Sequence, residues 1–168
     1  MILQGVIFGA LFLASVVLQS TLFHFFKIGG VKPDLILVIV LLSAFFKGER
    51  LGAVLGFIYG ILEDLIVGRY IGIQALTKMT AGYAVGVLGK KLFQDNLISP
   101  LIGVFIGSII HGCLYTVVLF CLGFYSGNPI HNFIPIIHIT FYNLLISLVF
   151  CWGQFYSSKK RLLRTLGR

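Results

Sequence analysis

Residues Gly52 to Gly72 read GAVLGFIYGILEDLIVGRYIG. Gly52, Gly56, Gly60, Gly68 and Gly72 fall on a four-residue rung whose one missing member is Asp64, with Glu63 beside it. At about 100° per residue, each four-residue step turns a helix by only about 40°. Gly52, Gly56 and Gly60 therefore form a slanting strip bare of side chains. A neighbouring helix can press against such a strip backbone to backbone, which is how helices associate where lipid supplies no hydrophobic drive. That neighbour is either another helix of the same chain or the helix of a partner protein. Glu63 and Asp64 border the strip, so both acids point toward the bundle and away from lipid.

A carboxylate inside a membrane helix costs about 3 kcal/mol or more unless it is paired, protonated or hydrated. Lys78 is the most available partner. With a turn centred near Tyr70, the two acids and Lys78 lie at similar depth on antiparallel neighbours, roughly 9 to 12 Å inward at about 1.5 Å per residue. Arg69 is a second candidate, reaching in from the interface. Asp64, Glu63 and Lys78 are thus expected to form an intramembrane polar cluster in the outer half of the bilayer. Its role is either to lock helices three and four together or to serve function directly. Pairing of Asp64 with Lys78 predicts that Asp64→Asn lowers yield and that Lys78→Met partly rescues it.

The remainder of the chain makes the membrane reading firm. Of 168 residues, 58% are hydrophobic and 11% charged, with a mean hydropathy of +1.03, far from the range of a soluble globular domain. One crossing takes roughly 20 apolar residues, so the chain holds about six crossings and no sizeable soluble domain. Charge and turn residues divide it into apolar runs at 2–26, 33–46, 51–67, 71–88, 99–124 and 134–155. Pro33 followed by Asp34 is a helix-start motif, because proline fits the first turn and the acid meets the positive end of the helix dipole. Ser99 and Pro100 repeat that signal before the fifth run. With the N-terminus inside, nine Lys and Arg fall in inner loops and the tail, against three outside, namely Lys27, Lys32 and Arg69. That asymmetry places both termini in the cytoplasm. The expected fold is an all-α integral membrane protein, with one six-helix domain over 1–156 and a basic cytoplasmic tail over 157–168.

Several functions are disfavoured. The first apolar run lacks a basic start and a small-residue cleavage site, so it reads as a retained helix and not a signal peptide. Cys113, Cys121 and Cys151 are odd in number, lie in apolar runs and read as small core residues. The net charge of +8 is dispersed in short loops and the tail, which suits anionic lipid headgroups and not nucleic acid. His111, His138 and Asn143 lack metal-motif spacing and read as satisfied core polar groups. No nucleophile motif surrounds any serine, and no glycine-rich nucleotide loop follows a strand. Glu49 and Asp95, acids of the inner loops, have basic neighbours that explain them as solvated charges. No enzyme activity and no cofactor are expected.

The run Gly56-Phe57-Ile58-Tyr59-Gly60-Ile61-Leu62-Glu63-Asp64, continuing to Gly72 and Ala75-Leu76, resembles the signature of the rod shape-determining protein MreD family. The opening Lys32-Pro33-Asp34-Leu35 resembles that family's second-helix start, and length, crossing count and basic tail agree. Pro33, Asp34, Gly56, Gly60 and Asp64 match its motif; Glu63 does not fall on a recurrent position. The resemblance implies a non-enzymatic bacterial plasma-membrane scaffold of the cell-elongation machinery. Its main partner is MreC, through which it meets MreB and the wall polymerase and transpeptidase. The family is similar in fold to the six-helix substrate-binding S subunits of energy-coupling-factor transporters. The alternative is therefore a substrate-binding subunit of a vitamin or solute transporter. Gly5, Gly9, Ala10 and Ala14 give the first helix the small-residue spacing such subunits use for docking.

Overall fold

The computed structural model describes residues 2–21, 33–67, 70–92, 96, 98–124 and 134–151. Among them the regular structure is six helices: α1 (Ile2–Thr21), α2 (Leu35–Lys47), α3 (Glu49–Val67), α4 (Ile73–Lys91), α5 (Ile98–Cys121) and α6 (Ile134–Cys151). The tail, Lys27, Lys32, Arg69 and Asp95 lie outside the described residues.

The architecture is organised around α2. Its sequence, LILVIVLLSAFFK, is apolar on every side, and a helix of that kind has no face to give to water. From Leu35 to Leu41 every side chain is buried. α4, α3 and α5 pack around it, and α1 touches it through Phe12, which also stacks on Tyr59 of α3 at a ring separation of 5.0 Å. Leu37, Leu41 and Phe45 meet Ala81, Val85 and Val104 in the larger of two core clusters. Thirteen residues at about 1.5 Å each span about 20 Å, short of the roughly 30 Å of a hydrocarbon core. α2 therefore ends inside the bundle, and its end groups need partners there.

The second helix starts later than the Pro33–Phe46 run predicts. Asp34 holds a non-helical backbone (φ −103°, ψ 87°) and acts as N-cap, its side chain accepting from Leu37 N, so Pro33 precedes the helix instead of lying in its first turn. At the other end Gly48, at φ 97°, takes a left-handed turn that a side chain would strain, and the chain reverses directly into α3.

α3 and α4 make the closest helix pair. A Cβ on Gly52 would lie 2.6 Å from the Gly82 carbonyl oxygen; one on Gly56 would strike the Lys78 carbonyl, and one on Gly60 the backbone of Ala75. α4 returns the relation, since a Cβ on Gly86 would strike the Glu49 backbone. The strip at Gly52, Gly56 and Gly60 is therefore an internal seam with α4. Contacts of Ala44 with Gly52 and of Phe45 with Gly89 show α2 running antiparallel to α3 and parallel to α4.

α5 and α6 are each long and apolar enough to cross a membrane. Large apolar side chains cover the outward faces, among them Val54, Leu65, Ile137 and Val149. An all-helical bundle with such a surface fits a helical membrane protein. Of the three cysteines, Cys151 is buried and Cys113 half-buried, whereas Cys121 is exposed at the end of α5, where the core no longer covers it.

Candidate functional site

The first four N–H groups of a helix have no intrahelical acceptor, and a helix that starts inside an apolar bundle cannot leave them to water. At the start of α2 each one finds a partner. Asp34 N donates to Asn143 Oδ1 of α6 at 3.1 Å. Leu35 N and Ile36 N donate to Gln19 of α1 at 2.8 and 3.3 Å, with the Gln19 amide turned so that its oxygen faces them. Leu37 N donates to Asp34 Oδ1 at 2.8 Å. Val38 N then closes the first turn onto Asp34 O. Two other helices, α1 and α6, thus help to complete one helix end.

The cap carries a charge, and that charge is paired. Asp34 Oδ2 lies 2.7 Å from Lys78 Nζ of α4, whose side chain has no exposure at all. Glu63 of α3 bonds the same ammonium group. The seam explains the meeting: Lys78 faces Gly56, about two turns from Glu63, so its backbone is roughly 10 Å short of the acid. Side chains lean toward the N-terminus of their helix, and in an antiparallel pair Lys78 and Glu63 lean toward each other.

Asp64 does something else. The position across the seam from it is the entry to α4, not Lys78. Gly72 N donates to Asp64 Oδ2 at 2.7 Å, Gln74 N to Oδ1 at 3.3 Å and Ala75 N to Oδ2 at 3.3 Å. Gly72 is the N-cap of α4 and has no side chain to supply a cap, so Asp64 supplies one from the preceding helix. An acid there also meets the positive end of the α4 dipole. The expected rescue of Asp64→Asn by Lys78→Met therefore has no structural basis. Asp64→Ala is expected to destabilise by about 1 to 2 kcal/mol through loss of the cap, and Asp64→Asn by less; thermal unfolding in detergent measures both.

Two further bonds tie in the remaining helices. Asn143, fully buried, donates Nδ2 to Ser108 Oγ of α5 at 3.1 Å. His111 of α5 lies 3.1 Å from Gln74 Oε1 of α4. His138 Nδ1 lies 2.9 Å from the Ile134 carbonyl oxygen of its own helix. Asn143→Leu strands the Asp34 N–H and is expected to lower stability by about 1 to 3 kcal/mol, read as a fall in the unfolding midpoint. Among the described residues no group of three or more His, Cys, Asp or Glu stands together to hold a metal ion.

A model of the rod shape-determining protein MreD family matches residues 1–157, nearly the whole chain. The chain belongs to that family. Its role is that of a rod shape-determining membrane protein, in a family of shape-determining structural proteins. Comparison with curated proteins and with solved structures gave no match. The family match lends no support to the transporter alternative. Within this MreD chain, Glu63 and Lys78 meet, as their spacing suggests, while Asp64 stands apart as a cap. Asp34 joins the helix-start motif to the buried charges, a link that sequence spacing did not suggest. Gln19 and Gln74 were the missed partners, their signal a polar side chain within an apolar run, while Asn143 is the satisfied core polar group that its place in such a run suggests.

Proposed function

We propose that this chain is a non-enzymatic scaffold of the bacterial cell-elongation machinery. It binds MreC and through it helps position lateral-wall peptidoglycan synthesis beside MreB and the wall polymerase and transpeptidase. The observation that carries this reading is the family match over residues 1–157. The chain crosses the plasma membrane six times as an S-component-like bundle, with one domain over 1–156, a basic tail over 157–168 and both termini in the cytoplasm. Neither a cofactor nor nucleic acid takes part.

The buried junction suits such a role, because it fastens helix ends with polar side chains held between the helices and leaves the outer surface to partners and lipid. Gly52, Gly56 and Gly60 are spent on α4, so MreC meets an outward face of the bundle. Depletion in a rod-shaped host, with purification of the tagged protein, tests the proposal. Rounded cells and co-purified MreC are expected; normal shape, with no MreC retained, overturns it. A reporter fused after Arg168 is expected to be active in the cytoplasm and silent outside it.

A further inference from the structure

The end of the bundle opposite the junction gathers positive charge. Lys47 closes α2, Arg50 lies in the first turn of α3, and Lys90 and Lys91 close α4; all four are exposed. The packing fixes the closeness of Arg50 and Lys90, and Lys91 is the next residue on α4. Gly86 abuts Glu49, the residue before Arg50, and the point a Cβ on Gly48 would occupy is 3.9 Å from Lys90 Cε. Glu49 bonds Lys90, and that hydrogen bond holds its carboxyl below the usual carboxylate range. Glu49, the one acid at this end among the described residues, is thus held by Lys90.

Below Arg50 and Lys90 run apolar, outward-facing stripes. On α3, Arg50 leads to Val54, Phe57 and Ile58, spaced four, seven and eight residues on, and all three are exposed. On α4, Lys90 leads back to Tyr83 and Leu76 at seven-residue steps, a spacing that drifts only about 20° per step on a straight helix. Cations above apolar stripes on two adjoining helices match an anionic headgroup above two acyl chains.

We propose that the end of the α3–α4 pair opposite the junction is a binding site for an anionic phospholipid. Arg50 and Lys91 hold the phosphate, and the Val54–Phe57 and Tyr83–Leu76 faces carry the chains. Arg50 can offer two parallel N–H groups to phosphate oxygens, while Lys91 adds a point charge. The site does not depend on MreC and stands or falls apart from that proposal.

The test uses the full-length protein in neutral detergent, with phosphatidylglycerol and phosphatidylcholine added in turn. Phosphatidylglycerol is expected to raise the unfolding midpoint saturably and more than phosphatidylcholine. The Arg50→Gln, Lys91→Gln double variant is expected to weaken the phosphatidylglycerol effect by about ten-fold or more in lipid concentration. Its response to phosphatidylcholine should not change. Equal effects of the two lipids on the unsubstituted protein, or an undiminished effect on the variant, overturn the site. Inorganic phosphate is expected to give no protection; an equal gain from it overturns the lipid assignment. Native mass spectrometry of the unsubstituted protein with equimolar lipids needs no variant. Predominant phosphatidylglycerol adducts are expected, and equal occupancy overturns the proposal.

Discussion

Lys78→Met is expected to destabilise the protein more than any other single substitution in the junction, by about 3 to 5 kcal/mol. The side chain of Lys78 is wholly buried and bonds both Asp34 and Glu63, so its removal leaves two carboxylates in an apolar bundle with no cation between them. The penalty comes from the stranded charges. A buried ion pair gains little over apolar residues of the same shape, because desolvation consumes most of the attraction, whereas a lone buried charge keeps the whole desolvation cost. The loss should therefore shrink when the acids are neutralised with it. Asp34→Asn is the appropriate change there, because asparagine still caps a helix. Glu63→Gln keeps the size of its side chain. Thermal unfolding and membrane yield of the single, double and triple variants measure the coupling. Asp64→Asn in the same background is expected to add its own loss without rescue, since Asp64 bonds the start of α4.

Gly56→Leu is expected to be comparably severe, at about 3 kcal/mol or more. A Cβ at position 56 would collide with the backbone of Lys78 and Met79, which cannot swing aside as a side chain can. The two helices would have to separate, and separation pulls Lys78 away from Glu63. Packing and pairing fail together. Gly9→Ala provides the contrast: nothing lies within 4 Å of the added Cβ, and alanine favours the helix by about 1 kcal/mol. Protein yield after membrane extraction reads both variants, with a sharp fall expected for Gly56→Leu and none for Gly9→Ala.

The helices and their approximate ends were legible in the sequence because hydropathy and turn residues act locally. The glycine strip was legible as a close-packing surface, but not its occupant, since a bare strip serves a helix of either chain. The register across the seam decided the acids. Counting from a turn at Tyr70 put Glu63, Asp64 and Lys78 at one depth, whereas the contacts set Lys78 against Gly56 and leave Asp64 at the entry to α4. Side-chain lean then brings Glu63 and Lys78 back together, a displacement that residue counting omits. Asp34 hid in plain view. Its reading as a helix start was right as to the cap, but only the three-dimensional crossing of α2 and α4 shows that the cap charge is also the second partner of Lys78. The shortness of α2 was the available hint: a helix too short to reach both interfaces must end among its neighbours, and its free N–H groups then call for Gln19 and Asn143.

The central claim is that the buried charges fasten the bundle and do nothing more. Cells depleted of the native protein and supplied with the Asp34→Asn, Glu63→Gln, Lys78→Met triple variant test it most directly, with cell shape scored alongside protein level and unfolding temperature. Rod-shaped cells with the variant near native abundance are the predicted result. A variant that accumulates and unfolds like the native protein, yet leaves the cells round, would contradict the account.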